Sequence, residues 1–343
     1  MRKRAIRRLW SKEKVRVRRG ATPCVHFLKL GRLVNLTLRA PRHFDVWNPA
    51  YRGGTVDFLE RLRRHSRKKG VALILDFSET ELVFATGAVL LVAEIDRALA
   101  TRLAVVQARR CSQLVTDEIL QHLGIYAKLG IRCSQEPQHE SVIHWRVASG
   151  VYAEGKAGGS ILESYEGRLA EGLTRGLYDG VVEAMTNTVQ HAYADDVRGG
   201  RELRHSIGRR WWIISEERDG MLTMCICDLG VGIPRSLPRS KTFSSRSVRD
   251  FKRNARLDNS DGSAIAVAVR LGRTRTNLKE RGRGLADIVA AVNLSDRGSV
   301  LISSNHGNFS AEKGSERVNN SPHSIHGTMV HWKVPIKEDE HDQ

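Results

Sequence analysis

The sequence predicts an α/β protein of two domains, and three observations carry that prediction. The chain has 343 residues, 41% hydrophobic and 27% charged, a length and balance that suit two globular units better than one. In the first half the continuous apolar runs VALILDF (71–77) and LAVVQA (103–108) alternate with segments of helical periodicity. In the second half two strand-like runs, WWIISEER and MLTMCICDLG, meet at Asp219 and Gly220, a hairpin signal.

Composition narrows the class. No apolar run approaches the ~20 residues that a membrane span needs, and residues 1–20 are charged almost throughout, which excludes a signal peptide there. Five cysteines, at 24, 111, 133, 225 and 227, form an odd, scattered set suited to a reducing cytoplasm. Cys225 and Cys227, two apart in an apolar run, read as buried small hydrophobes on one strand face rather than as metal ligands. The net charge of +18 is concentrated. Residues 1–20 carry ten Lys/Arg and one Glu, and residues 235–283 carry fourteen Lys/Arg and four Asp/Glu, so the rest of the chain sums to −1. Such patches attract nucleic acid, an acidic protein surface or an anionic ligand, with plain solubility as the alternative for the tail.

Taken in order, residues 1–29 are a basic arm and 32–39 alternate in polarity like a strand. A basic helix over 52–69 closes at Gly70. The buried strand 71–77, a helix over 87–100, the strand 103–108 and a helix over 112–122 closed by Gly124 then imply a small sheet with helices packed on it. Residues 30–135 resemble a STAS domain, the fold of bacterial anti-sigma factor antagonists, through LILDFSETELVFATGAVLLVAEIDRAL, LAVVQA and the closing LQHLGIYAKL. The resemblance places Thr86, just before Gly87, at the family's phosphoacceptor position. Phe84 and Ala85 stand where the family has its acidic and serine residues, and a hydroxyl at a helix start is also a cap. Residues 136–159, with Pro137 and GKAGGS, read as a linker.

The second domain, 160–337, opens with a helix to Gly176 and continues into 180–193, GVVEAMTNTVQHAY. Val181, Val182, Met185 and Val189 give that segment an apolar face. Glu183, Asn187 and His191 recur every fourth residue, which stacks a carboxylate, an amide and an imidazole along one edge. A polar ladder on a mostly buried helix calls for a polar group opposite it; a solvated face is the alternative. CDLGVGIP then sets Asp228 at a strand end before Gly230, Gly232 and Ile233, where backbone can come close to a ligand. RGRGLADIVAAV sets Gly282 and Gly284 before an apolar helix, whose free N–H groups suit phosphate. The strands SVLISSN and 327–336 close the domain, and 338–343 form a polar tail.

In this order the motifs resemble the GHKL superfamily of ATPases, whose fold is an α/β sandwich of a mixed sheet with helices on one face. The resemblance implies a cofactor pair of ATP and Mg2+. Asn187 would bind the magnesium, Asp228 would accept from the adenine amino group, and Gly230, Gly232 and Ile233 would let backbone approach the base. Gly282, Gly284 and Leu285 would line the triphosphate, Thr328 would sit at the last conserved-type turn, and His191 would lie near the phosphates. Glu183 would deprotonate a water or protein hydroxyl, one helical turn or ~6 Å from Asn187. Residues 235–281 would form a lid, with a helix over 264–271 and with Arg281 and Arg283 touching phosphate.

The function so implied is an ATP-dependent regulatory switch, an ATPase or an anti-sigma-type serine/threonine kinase, coupled to the chain's own STAS-like domain or to a protein partner that is STAS-like or acidic. The alternative is a nucleic-acid-associated ATPase module, as in gyrase or MutL, using the basic arm and lid. No membrane partner is implied, and a homodimer is compatible with either. A histidine kinase is disfavoured, because His139 and Glu140 lie in a short polar stretch beside Pro137.

Overall fold

Unbroken aliphatic runs form buried strands, and the amphipathic segments between them pack against those strands. The computed structural model describes residues 33–170, 172–193, 207–239, 245–255, 257–273, 285–290, 292 and 295–337. The arm 1–29 and the tail 338–343 lie outside these residues. The first half runs β1 (Val34–Arg39), β2 (His43–Phe44), α1 (Pro49–His65), β3 (Val71–Asp76), β4 (Leu82–Val83), α2 (Ala85–Thr101), β5 (Val105–Arg109), α3 (Leu114–His122) and α4 (Ile125–Lys128). β1, β3 and β5 form a three-stranded parallel sheet in that order, and β2 pairs with β4. α1 begins at Asn48, whose side chain accepts from the Ala50 amide ahead of Pro49, a favoured first helical residue. It ends at His65 rather than at Gly70.

The remainder runs α5 (Glu140–Ile143), β6 (Arg146–Gly150), α6 (Gly155–Glu163), α7 (Leu173–Asn187), a π-helical turn (Thr188–Ala192), β7 (Trp211–Arg218), β8 (Met221–Asp228) and α8 (Ile233–Ser236). Then come α9 (Ser245–Asn254), α10 (Asp261–Arg273), α11 (Leu285–Ala290), β9 (Ser299–Ser304), β10 (Gly307–Glu312), β11 (Ser315–Asn320) and β12 (Thr328–Pro335). The strands make one sheet in the order β11-β10-β9-β12-β8-β7-β6. Its pairings are antiparallel throughout, where a mixed sheet was expected. The expected linker 136–159 instead contains α5, the edge strand β6 and the start of α6.

The large sheet is a middle layer buried on both faces. Alternate residues of β7 point to opposite sides: Trp211 and Ile213 join α7, α10 and α11, whereas Trp212 and Ile214 join the first half of the chain. β8 divides the same way, with Leu222, Met224 and Ile226 on one side and Cys225 and Cys227 on the other. Both cysteines are free and buried. Helices therefore lie on both faces, because α2 of the first half covers the face that was expected to be open. Polar ties reinforce this seam. The Ala85 amide donates to Glu216 Oε2 at 2.8 Å, and Trp212 Nε1 donates to Asp96 Oδ2 at 2.8 Å.

Within the expected lid 235–281, the helix α10 is part of the core. Ile265, Ala266 and Val269 of α10 are buried with Phe309 and Ala311 of β10. A Cβ on Gly307 would overlap the Asp261 carbonyl carbon, so this helix is seated directly on the hairpin. α9 is different: Val248 alone on it is fully buried, and Arg246, Arg249 and Arg253 are exposed.

Candidate functional site

The ladder helix forms seven residues earlier than its polar edge suggested, at Leu173, behind Gly172 in a left-handed conformation (φ 77°). Leu173, Leu177, Val181 and Met185 anchor it in the core. Glu183 and Asn187 lie one turn apart, and Asn187 Nδ2 donates to Glu183 Oε1 at 3.0 Å. Burial pushes the Glu183 carboxyl above its ordinary pKa, the Asn187 hydrogen bond opposes this, and Asp287 on α11 adds to it. His191 does not continue the α-helical ladder. It lies in the π-helical turn, whose wider winding breaks the α-helical spacing after Asn187. Burial lowers its pKa, so it is a neutral imidazole at pH 7.

Asp228 ends β8, paired with Trp211 on one side and Thr328 on the other. It is 6% exposed, and burial raises its pKa to about 7 against hydrogen bonds from the backbone of Gly230 and Thr328. The Gly230 amide donates to Asp228 Oδ1 at 2.8 Å.

The loop after Asp228 is bound to the end of the ladder helix. The Val231 amide donates to the Ala192 carbonyl at 2.8 Å, and the Leu229 amide donates to the Tyr193 hydroxyl at 3.1 Å. Gly230 is required by that contact, because a Cβ there would overlap the Ala192 carbonyl. At Gly232 (φ 82°) a side chain would meet Asn305 and Ser304. The two glycines were expected to admit a base; the groups that press on them are this chain's own.

Ser304 and Asn305 were absent from the sequence expectation, and no motif marks them. Ser304 Oγ accepts from the Ile233 amide at 2.8 Å and lies 3.1 Å from Thr328 Oγ1. Asn305 Nδ2 donates to the Val231 carbonyl at 3.0 Å. Ile233, Thr328 and Asp228 are thus held in one cluster. Leu285 opens α11, partly buried against the core that holds the ladder helix. Arg281, Gly282, Arg283 and Gly284 lie outside the described residues.

Thr86 is neither a cap nor exposed. It is 3% exposed inside the first turn of α2, where its hydroxyl donates to Asp45 Oδ1 at 2.6 Å. It lines a cavity of about 560 Å³ with Asp45, Glu216 and His331. A second cavity, of about 530 Å³, lies behind the Leu229–Val231 loop. Neither is lined by Glu183, Asn187 or Asp228.

Among the described residues no group of three or more His, Cys, Asp or Glu could hold a metal ion. Magnesium needs less, since it commonly takes one or two protein oxygens with waters and phosphate. Asn187 fits that demand: its Nδ2 is given to Glu183, which leaves the hard Oδ1 for another partner. No helix among the described residues is long and apolar enough to cross a membrane. No protein-family model matches the chain, and no curated protein matches its sequence.

Proposed function

We propose that this protein is a magnesium-ATP-binding regulatory switch of the GHKL type. In this reading its second half is an ATPase or an anti-sigma-type serine/threonine kinase, and the nucleotide state acts on the STAS-like first half or on a protein partner. One observation carries the reading: the Glu183–Asn187 pair ends a core helix whose next turn is hydrogen-bonded to the glycine loop following buried Asp228.

Each residue has a chemical role consistent with its setting. Asn187 would hold magnesium through Oδ1. When bound, the ion supplies charge neutralisation for the phosphates. Glu183, with its pKa raised by burial, can take a proton from a nearby hydroxyl or water and keep it at Oε. Asp228, at the end of its strand, offers a carboxyl oxygen to an amino group, with little water to compete at 6% exposure. The first half is placed to respond, because α2 rests on the same β7 and β8 whose end carries Asp228.

Thr86 is disfavoured as the acceptor of a phosphoryl group, since its hydroxyl is buried and committed to Asp45. A kinase activity would therefore use a hydroxyl on a partner.

Single-turnover assays test the reading. Glu183→Gln is expected to bind ATP and to release phosphate at least ~100-fold more slowly, the typical contribution of a general base. Wild type that binds ATP yet shows neither phosphate release nor transfer to protein would leave a nucleotide sensor in place of an enzyme.

A further inference from the structure

The cavity behind the Leu229–Val231 loop has a composition that the nucleotide reading does not use. Arg63 on α1, Arg97 on α2 and Arg67 wall it from the first half of the chain; Arg235 on α8, Asp261 and His326 wall it from the second. Arg63 and Arg97 share one carboxylate. Arg97 Nε donates to Glu94 Oε2 at 2.6 Å, and Arg63 Nε donates to Glu94 Oε1 at 3.0 Å. Burial pushes the Glu94 carboxyl up, but the charges of Arg63 and Arg97 outweigh it and leave the pKa at about 2. That single carboxylate does not satisfy Arg97. Arg97 is 1% exposed, and its Nη1 and Nη2 have no hydrogen-bond partner among the described residues.

A buried, charged donor without a partner is costly, on the order of 1–3 kcal/mol or more. Four arginines against Glu94 and Asp261 leave the cavity with two unbalanced positive charges. His326 adds none at pH 7, because partial burial, with the charge of Arg63 second, lowers its pKa to about 4.

We propose that this cavity binds a phosphorylated small molecule, whose phosphate accepts from Nη1 and Nη2 of Arg97 and is flanked by Arg67 and Arg235. A dianionic phosphate matches the excess charge, and a planar guanidinium matches its oxygens two at a time. A volume of about 530 Å³ is that of a small-molecule site. The burial of Arg97 favours a compact ligand over a polymer backbone, which would meet mainly the exposed cations. The ligand would bridge the two halves, and it would touch Leu229, Gly230 and Val231, the loop that follows Asp228. The site stands independently of the ATP reading.

Calorimetric titration with pyrophosphate, without magnesium, on the full chain carrying Asn187→Ala separates this site from the nucleotide site. A single binding event with a Kd below about 1 mM is expected. Arg67→Ala together with Arg235→Ala should weaken it at least ~10-fold while leaving the melting temperature unchanged, since both side chains are exposed. Arg97→Met should abolish it; where that variant does not fold, the double variant decides. No binding at about 10 mM pyrophosphate, or undiminished binding by the double variant, overturns the proposal. So does a single-stranded oligonucleotide that occupies the site more tightly than pyrophosphate and is lost in the double variant.

Discussion

Glu216 accepts a hydrogen bond from the amide of Ala85, 131 positions away in the chain, at the first residue of α2. The carboxyl is 4% exposed, and burial raises its pKa from 4.5 to about 7, against the opposing charge of Arg218. The sign of its linkage to stability follows. Below pH 4.5 the group is protonated in both states. Between 4.5 and about 7 the unfolded chain ionises while the folded chain keeps its proton, so the folded state loses stability as pH rises. Glu216→Gln removes this loss. Melting curves should show the variant gaining on wild type from pH 4.5 to 7, and a difference that does not change with pH would contradict the assignment. Glycine roles belong to the same scale. Gly230→Ala drives a methyl into the Ala192 carbonyl and should destabilise by roughly 2 kcal/mol in denaturant unfolding. A neutral result would mean that the loop moves freely away from the ladder helix.

Among the elements, the strands 71–77 and 103–108 and the 219–220 hairpin were legible because an unbroken apolar run permits little else. The polar edge of the ladder helix was legible only in part. A period of four places Glu183 beside Asn187, but periodicity carries no sign of the π-helical turn that holds His191. Within 235–281, the segment that the GHKL resemblance makes a lid, the basic composition gave no sign that Ile265, Ala266 and Val269 fix α10 against β10 through an apolar face. The 136–159 stretch looked like a linker through its Gly and Pro content, yet β6 takes its backbone partners from β7. Glu94 with its two arginines had no signal at all, since Arg63 and Glu94 are brought together only by the packing of α1 on α2. Among the described residues, α9 carries the exposed arginines that the nucleic-acid alternative would use. If they meet nucleic acid, Arg246→Ala with Arg249→Ala should reduce both DNA affinity and its salt dependence, by about one unit of log–log slope per lost phosphate contact. Unchanged slope in a gel-shift titration would exclude that surface.

For the molecule as a whole, the large sheet separates two cores and belongs to both. Trp212, Ile214, Cys225, Cys227 and Met329 pack with the first half, and their strand neighbours pack with α7, α10 and α11. Such a shared layer couples the halves energetically, so thermal unfolding should be one cooperative transition by calorimetry and by tryptophan fluorescence alike. Two separated transitions would mean that the seam is weak. Trp212→Ala empties the seam at its largest fully buried side chain and should cost about 3–5 kcal/mol. The same layer is the route by which nucleotide state at one end of β8 would reach α2. The most direct test of that central claim is ATP binding to the full chain by titration calorimetry, with and without magnesium, for wild type and Asn187→Ala. Magnesium should tighten ATP binding to the wild type at least ~10-fold and should have little effect on the variant. No binding at millimolar ATP, or a magnesium effect that survives in Asn187→Ala, would contradict it.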